Sequence, residues 1–306
     1  MNRRDPNPAA VQLTLIAAMA VWGLNIAAVK ALTGAFDSIV LAALRMLVAA
    51  LALSLIVLWR RCGLPVLSFR QAGAIMVCAT LMVYLNQILF AEGLLRSTAT
   101  NGALIMALSP LVSALLAAIA FRERMTLARL LGVALGFVGV AAVVLSHPGA
   151  GLSTAGVGDL MLVASVMSFA AGGAIIQRLA RQLHTVTISW AIYLVGSLLL
   201  AAQAVLGSSP VGVGDLFPGW RPWVFILFSG VLATALSNLV GNRAITRIGV
   251  ARTAVFLYWV PVFGVGFAAL LLGERLTLWH LFGFVTVMTG TYLGTRQPVT
   301  VSVGAP

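Results

Sequence analysis

Side-chain amides occur inside long apolar segments of this sequence, where hydrocarbon offers them no hydrogen-bond partner. An amide buried without a partner costs roughly 2–7 kcal/mol, so each one should face other protein groups or a polar ligand. When the two halves of the sequence are compared, Asn86-Gln87 aligns with Ser237-Asn238. Binding of a polar metabolite and attachment of one helix to another are both open roles for this set: Asn25, Asn86, Gln87, Asn101 and Asn238.

Aromatic residues lie in or near the same segments, and Trp22 aligns with Phe169 in the comparison of halves. Ring faces that line a cavity suit the apolar or aromatic parts of a bound molecule. The alternative is packing in the core or anchoring at the membrane interface. Both interpretations are open for each cavity candidate: Trp22, Tyr84, Phe169, Trp190 and Tyr258.

Two charged residues are candidates for function. Arg45 lies about two turns into an apolar segment, where a charge costs about 2.5–3.5 kcal/mol. It could bind a substrate carboxylate, or it could extend outward towards Asp37 or the lipid headgroups. Glu92 precedes Arg96 by four residues, a spacing typical of an ion pair on one helix. The alternative role for Glu92 is proton coupling.

Two prolines, Pro110 and Pro261, lie at aligned positions inside apolar segments. A proline within a helix frees the carbonyl four residues earlier, here at Met106 and Leu257. Membrane helices tolerate such breaks where a cavity or a neighbouring helix satisfies the carbonyl. We therefore predict a bend at each proline, either a moving part of a gate or a fixed kink, and we include Met106 among the cavity candidates.

The composition indicates which solvent surrounds these residues. Of 306 residues, 61% are hydrophobic and only 8% are charged, against about 25% charged in a typical soluble domain. Such a chain needs lipid as its solvent. The net charge of +12 comes from basic residues scattered between apolar segments, so no nucleic-acid partner is expected. The cysteines and histidines are isolated, and no nucleotide-binding loop occurs, so neither a metal nor a cofactor is predicted.

Ten apolar stretches are long enough to cross a bilayer as helices, and alternating β-barrel patterning is absent. The first stretch is of full length, which favours a membrane span over a cleaved signal peptide. The predicted spans are residues 11–30, 38–59, 71–91, 98–120, 127–146, 159–178, 186–206, 222–242, 250–272 and 277–294.

The loop charges predict the orientation. Most of the 19 basic residues fall on one side if both termini are cytoplasmic, as the positive-inside rule requires. The expected location is a bacterial inner membrane. The expected organisation is a cytoplasmic tail at 1–10, a first five-helix repeat at 11–146, a periplasmic linker at 147–158, a second repeat at 159–294 and a cytoplasmic tail at 295–306.

An internal repeat gives the most specific signal in the sequence. Residues 94–140 align without gaps on 245–291, at an offset that matches Pro110 with Pro261 and Glu123 with Glu274. Residues 21–32 align more weakly on 168–179. A unit of five helices, an odd number, makes the second copy cross the membrane in the opposite sense. Inverted repeats of this kind place a binding site near the midplane and move by rocking against each other.

These features resemble the EamA type of the drug/metabolite transporter superfamily. The resemblance rests on WGLNIAAVK in the first span, Arg45 in the second, RSTATNGALIMALSP before and within the fourth, and a Pro-to-Glu segment in each half. The first half departs from the pattern, because Arg122-Glu123 replaces the usual Gly-Glu. The resemblance implies ten helices, cytoplasmic termini, a central cavity and movement of small metabolites, often export of amino acids.

Glycines at helical spacing mark the fifth and tenth spans and predict close packing between the halves. They are Gly132, Gly136, Gly139, Gly283, Gly290 and Gly294. We expect a monomer, with a homodimer through these faces as the alternative. The predicted function is secondary transport, with a small-molecule substrate and the lipid bilayer as partners and no enzymatic activity. The alternatives are a lipid flippase of the same fold and, after it, a membrane-embedded enzyme.

Overall fold

The computed structural model describes residues 8–59, 67–121, 126–145, 154–180, 182–207, 216–248, 253 and 256–295, and in these residues the regular structure is helical. The first half contains α1 (Pro8–Leu32), α2 (Ser38–Trp59), α3 (Phe69–Arg96), α4 (Ala99–Met106 and Ser109–Phe121) and α5 (Leu127–Leu145). The second half contains α6 (Thr154–Leu179), α7 (Thr185–Leu206), α8 (three consecutive segments, Trp220–Leu227, Phe228–Leu236 and Ser237–Ile248), α9 (Trp259–Leu272) and α10 (Leu278–Thr295).

The prediction of an all-helical membrane protein in two five-helix halves is confirmed. Among the described residues, 8 helices are long and apolar enough to span a bilayer, and α9 is a shorter apolar helix of the same character. Large apolar side chains such as Leu51, Leu58 and Leu270 are exposed on the helix surfaces. Exposed leucines in this number fit a surface that faces lipid.

Several helix bounds differ from the predicted spans. The predicted linker ends at 158, but α6 begins at Thr154, and α4 is two helices instead of one. α3 extends to Arg96, and α8 continues to Ile248, beyond the predicted end at 242. The reason is physical: a span prediction follows hydropathy, whereas helices continue past the apolar layer wherever backbone hydrogen bonds and packing allow.

The two halves pack against each other through pairs of helices, one from each half. α1 packs on α9 and α6 packs on α4, which are equivalent pairs when the halves are exchanged. α2 packs on α7 and α5 packs on α10, and each of these pairs is its own equivalent. The approximate two-fold relation predicted from the repeat is therefore visible in the pairing of the helices.

The glycines of α5 and α10 face each other within one chain. A Cβ added at Gly132 would lie 2.5 Å from the carbonyl oxygen of Gly290, and one added at Gly139 would lie 3.0 Å from that of Gly283. This order of contacts makes the two helices antiparallel. Because the glycine faces are occupied by the other half of the chain, a homodimer, which stays a prediction, would have to use another surface.

Candidate functional site

Two helices that are equivalent under the repeat, α3 and α8, each contain a π-helical segment. The segments are Thr80–Leu85 and Phe228–Leu236, and each ends directly before an aligned residue, Asn86 in α3 and Ser237 in α8. A π turn shifts the ladder of backbone hydrogen bonds and widens the helix, and such turns occur frequently at functional sites. The repeat therefore conserves a local distortion as well as the helices themselves.

Each π segment accepts a hydrogen bond from the first helix of the opposite half. Trp22 of α1 donates from Nε1 to the carbonyl oxygen of Ala233 in α8, at 2.6 Å. Ser168 of α6 donates from its hydroxyl to the carbonyl oxygen of Leu81 in α3, also at 2.6 Å. The two bonds are equivalent within one residue under the repeat. Both tie one half of the molecule to the other at the level of the distorted helices.

Arg45 is the centre of a buried polar network that also joins the halves. Its side chain is only 2% exposed. Nε donates to the hydroxyl of Ser229 in the π segment of α8 at 2.6 Å, and Nη1 donates to Oε1 of Gln87 at 3.2 Å. Gln87 donates to Asn86 at 2.9 Å, and Asn86 donates to the carbonyl oxygen of Ser165 in α6 at 2.8 Å.

The outward route for Arg45 is wrong. Asp37, the acid considered as its partner, instead accepts hydrogen bonds from the backbone N–H groups of Ile39 and Val40 at the start of α2, at 2.8 and 3.3 Å. Arg45 contacts α3 and α8 instead, so its charge stays inside the bundle.

The second half holds a neutral counterpart of this network. Asn238, the equivalent of Gln87, donates to the hydroxyl of Tyr193 at 3.2 Å and to the carbonyl oxygen of Thr234 at 3.0 Å. Asn25 of α1 differs from the other amides, because its Oδ1 is buried and has no hydrogen-bond partner among the described residues. Asn86 and Asn238 thus lie on the two helices that contain the π segments, and Trp22 and Asn25 lie on α1, which bonds to one of these segments.

The aromatic candidates are spread over the molecule. Tyr84 packs into an apolar cluster with α2, α6 and α7, and Phe169 is 40% exposed. Tyr258 is half-buried at the turn that precedes α9. Trp190 donates to the hydroxyl of Ser54 at 2.8 Å and lines a cavity of about 230 Å³ between α3 and α7, together with Leu67, Ile75, Leu183, Thr187, Ile188 and Ala191.

Asn101 belongs to a different cluster, at the end of the bundle that the loop charges predict to be outside. Its Nδ2 donates to both carboxylate oxygens of Asp159 at 3.2 and 3.1 Å, and its Oδ1 lies 3.2 Å from Nε2 of His280. The hydroxyl of Ser97 also donates to Asp159. Asn101 is 0% exposed, so the structure assigns it hydrogen bonds between α4, α6 and α10.

Glu274 closes the same end. Its carboxylate accepts hydrogen bonds from the backbone N–H groups of Ala99 and Thr100 at 2.7 and 2.8 Å, and from the Thr100 hydroxyl at 2.6 Å. These are the unpaired donors at the start of α4, where a negative charge is also favoured by the helix dipole. Gly273 makes this possible, because its φ of 65° ends α9 in a left-handed turn that directs the chain back.

Neither Asp159 nor the role of Glu274 was found from the sequence. The Gly-Glu pair after an apolar helix was visible, but nothing in the sequence indicated that the carboxylate reaches α4 of the opposite half. Glu123, its aligned counterpart, lies outside the described residues. Glu92 forms the expected ion pair with Arg96 on the surface of α3, and Lys30 donates to the carbonyl oxygen of Leu94 at 2.6 Å.

The helix interruptions lie just before the two prolines. α4 is broken at Ala107 and Leu108, and the carbonyl oxygen of Met106 accepts a hydrogen bond from the Ser109 hydroxyl at 2.7 Å. Before Pro261, the carbonyl oxygen of Leu257 accepts from the backbone N–H of Val260 at 3.1 Å. Each carbonyl freed by a proline therefore has a local partner, and Met106 contributes its backbone to this arrangement.

The EamA-like transporter family matches residues 10–145 and again residues 156–296, so the match covers each half separately and nearly the whole chain. The chain belongs to the EamA-like transporter family. It is a multi-pass membrane transporter.

Curated relatives of this EamA-family chain cover most of its length. It is 27% identical to the uncharacterised transporter YyaM of Bacillus subtilis over 72% of both chains. It is 27% identical to the probable amino-acid metabolite efflux pump of Escherichia coli, over 93% of this chain and 95% of the pump. It is 26% identical to the S-adenosylmethionine/S-adenosylhomocysteine transporter of Chlamydia muridarum, over 94% of this chain and 91% of that transporter.

A solved crystal structure shares the EamA-family fold seen here. It superposes with a TM-score of 0.65 at 17% sequence identity and covers 94% of this chain and 96% of the solved chain. The likeness concerns the fold alone.

Proposed function

We propose that this protein is a secondary transporter that exports a small polar metabolite, an amino acid or a related compound, across a bacterial inner membrane with both termini cytoplasmic. The observation that carries the proposal is the polar layer between the inverted halves. This layer lies where the two π segments face the opposite half. It contains the hydrogen bonds that Trp22 and Ser168 donate from one half to the π segment of the other, here called the crossing bonds, and the network of Arg45. Inverted repeats place substrate sites in such a layer.

The two ends of the bundle support alternating access as the mechanism. At the predicted outer end, Glu274 and the contacts between Asn101 and His280 tie the halves together with hydrogen bonds. At the predicted inner end, the cavity of about 230 Å³ lies beside the first turns of α3 and α7. Rocking of the halves would break the outer contacts and expose the central polar layer to the other side.

The relatives support the class of solute. One is named as an efflux pump for amino-acid metabolites and another as a transporter of S-adenosylmethionine and S-adenosylhomocysteine. A central layer that contains amides, a tyrosine and a guanidinium offers hydrogen bonds to such a solute. The half-buried ring of Trp22 offers an apolar face beside them.

A counterflow experiment tests this function. Purified protein is reconstituted into liposomes loaded with one unlabelled amino acid, nucleoside or sugar, and uptake of the same labelled solute is measured against protein-free liposomes. We expect saturable exchange of at least one amino acid or amino-acid derivative. If no solute class exchanges saturably, the proposed function is contradicted.

The apolar lining of the inner cavity favours one alternative, movement of a lipid or a lipid-linked metabolite. Apart from Thr187 and the indole N–H of Trp190, the cavity is lined by apolar groups, the aliphatic side chains and the indole ring of Trp190. A flippase would scramble fluorescent phospholipids in the same liposomes, measured by their reduction from the outside. Scrambling without exchange of any water-soluble solute would favour the flippase over the exporter.

A further inference from the structure

We propose that Arg45 binds the carboxylate of the transported solute, and that Asn25 accepts a hydrogen bond from the ammonium group of the same solute. The ligand class is therefore a zwitterionic α-amino acid or a compound that retains both groups. The proposal rests on the proposed function, because it names the chemistry of the central site.

Arg45 has no counterion among the described residues. A buried guanidinium is costly unless an opposite charge and hydrogen bonds compensate it. Arg45 is 2% exposed, yet its two hydrogen-bond partners, Ser229 and Gln87, are neutral. A carboxylate from a solute would supply the charge that is absent around it.

The protein's own described acids are committed elsewhere. Asp37 caps α2, and Glu92 pairs with Arg96. Asp159 accepts from Ser97 and Asn101, and Glu274 caps α4, both at the predicted outer end. Within the part of the chain that the structure describes, no carboxylate contacts Arg45.

Arg45 also has hydrogen-bond donors that no described residue uses. A guanidinium carries five N–H donors in a planar fork, and this fork matches the two oxygens of a carboxylate. Nε and Nη1 of Arg45 each make one hydrogen bond, whereas Nη2 makes none to any described residue. Arg45 therefore retains donors for a ligand while Ser229 and Gln87 fix its orientation.

Asn25 provides an unused acceptor at the same depth as Arg45. Arg45 follows Ser38, the first residue of α2, by seven positions, and Asn25 precedes Leu32, the last residue of α1, by seven positions. At 1.5 Å per residue, both lie about 10 Å from the same end of the bundle. The buried Oδ1 of Asn25 has no hydrogen-bond partner among the described residues, which is expensive unless a donor arrives.

Helices α1 and α2 both bond to α8 near this depth. Arg45 bonds to Ser229 in the π segment of α8. Trp22, one turn before Asn25 on α1, bonds to Ala233, which is one turn after Ser229. Gly230 permits the close approach of α2 and α8 here, since a Cβ at that position would lie 2.8 Å from the carbonyl oxygen of Arg45. A solute held by Arg45 would therefore contact the seam between the halves.

Paired ligands test the proposal by binding, independently of transport. Thermal unfolding of the purified full chain is followed in detergent with each proteinogenic amino acid, with its carboxamide and with its decarboxylated amine. We expect at least one amino acid to stabilise the wild type, with an apparent affinity about tenfold or more above that of its carboxamide and of its amine.

Variants assign the effect to residues. Arg45→Gln should remove the preference for the acid over the amide, and Arg45→Lys should restore part of it, because lysine keeps the charge but not the fork. Asn25→Leu should weaken binding of the amino acid. Arg70→Gln removes an exposed cation at the start of α3 and should leave the preference unchanged.

The unfolding measurements with paired ligands and variants either support or overturn the assignment of Arg45. If the wild type gains no stability from any amino acid, or gains it equally from acid and amide, the assignment of Arg45 is overturned whatever the variants do. If Arg45→Gln keeps the preference, Arg45 serves only to join the helices. If Arg45→Gln does not fold, Arg45→Lys and the wild-type ligand pairs still decide. Binding of amino acids without counterflow would contradict the exporter, whereas the assignment of Arg45 as the residue that binds the carboxylate would be kept.

Discussion

Each half contains a pair of hydrogen-bonded polar side chains at nearly equivalent positions, but only the pair in the first half is charged. α2 and α7 are both 22 residues long and align end to end. In the first half, Arg45 of α2 bonds to Gln87 of α3; in the second, Tyr193 of α7, one position past the aligned site, bonds to Asn238 of α8. The helical framework is symmetric, whereas the chemistry of the two pairs is not.

The two pairs also differ in whether the hydrogen bonds around them extend into the other half. In the first half, the bonds extend into the other half, from Arg45 to Ser229 and from Asn86 to the carbonyl oxygen of Ser165. In the second half, Ser237 donates within α8, to the carbonyl oxygen of Leu232 at 2.8 Å. The charged pair therefore joins the halves, whereas the neutral pair is satisfied mainly within its own.

Making the second pair charged should have the largest effect. Tyr193→Arg would place a second cation in the bundle, in electrostatic range of Arg45, and no described acid would compensate it. We expect a loss of about 3 kcal/mol or more in stability, measured as a drop in folded yield and in the unfolding temperature. Tyr193→Phe is the matched control and should cost about 1 kcal/mol. Normal folding of Tyr193→Arg would show that the site tolerates either charge arrangement.

Removing the contact of Glu274 with the start of α4, at the predicted outer end, should have the next largest effect. Glu274→Gln loses a charged acceptor at the start of α4, a change of about 1.5–3 kcal/mol that should shift the population towards an open outer end. A cysteine placed at the buried Ala103, in a chain without Cys62 and Cys78, should then react about tenfold or more faster with a membrane-impermeant maleimide.

The control for this experiment is Glu92→Gln, which removes an acid at the same end but none of the contacts between halves. If the cysteine at position 103 reacts at the same rate in Glu274→Gln and in Glu92→Gln, the contact of Glu274 does not keep the outer end closed. Glu123→Gln extends the comparison to the aligned acid of the first half. We expect it to leave outer labelling unchanged or to reduce it, because the repeat places it at the opposite end.

The sequence predicted the features that depend on composition and repetition. Hydropathy predicted the spans, and the aligned Pro110 and Pro261 predicted a bend in each of two helices, where the structure has interruptions. The π segments were not predicted, because a shifted hydrogen-bond ladder leaves no pattern in residue type. The partners of Arg45 were also missed. Ser229 and Gln87 lie 184 and 42 residues away along the chain, and only the packing of α2 against α3 and α8 brings them together.

Removing each crossing bond in turn tests whether the two halves depend equally on these hydrogen bonds. Trp22→Phe and Ser168→Ala each remove one hydrogen bond to a π segment. Each should cost about 1 kcal/mol, seen as similar shifts in the unfolding temperature. A much larger effect from one of them, beyond the extra volume lost from the indole, would mean that only one half uses its crossing bond.

The smallest effect should come from Glu92. Its aligned residue in the second half is Arg243, so this acid is another asymmetry between the halves and a natural candidate for proton coupling. The structure instead pairs it with Arg96 one turn along α3, where the two side chains are 22% and 36% exposed. Exposed pairs at this spacing contribute about 0.3–0.5 kcal/mol. Glu92→Gln should therefore barely change stability and should leave any pH dependence of counterflow as it is in the wild type. A flattened pH profile would instead identify Glu92 as a proton-coupling residue, and the charge difference between the halves would then be part of the coupling.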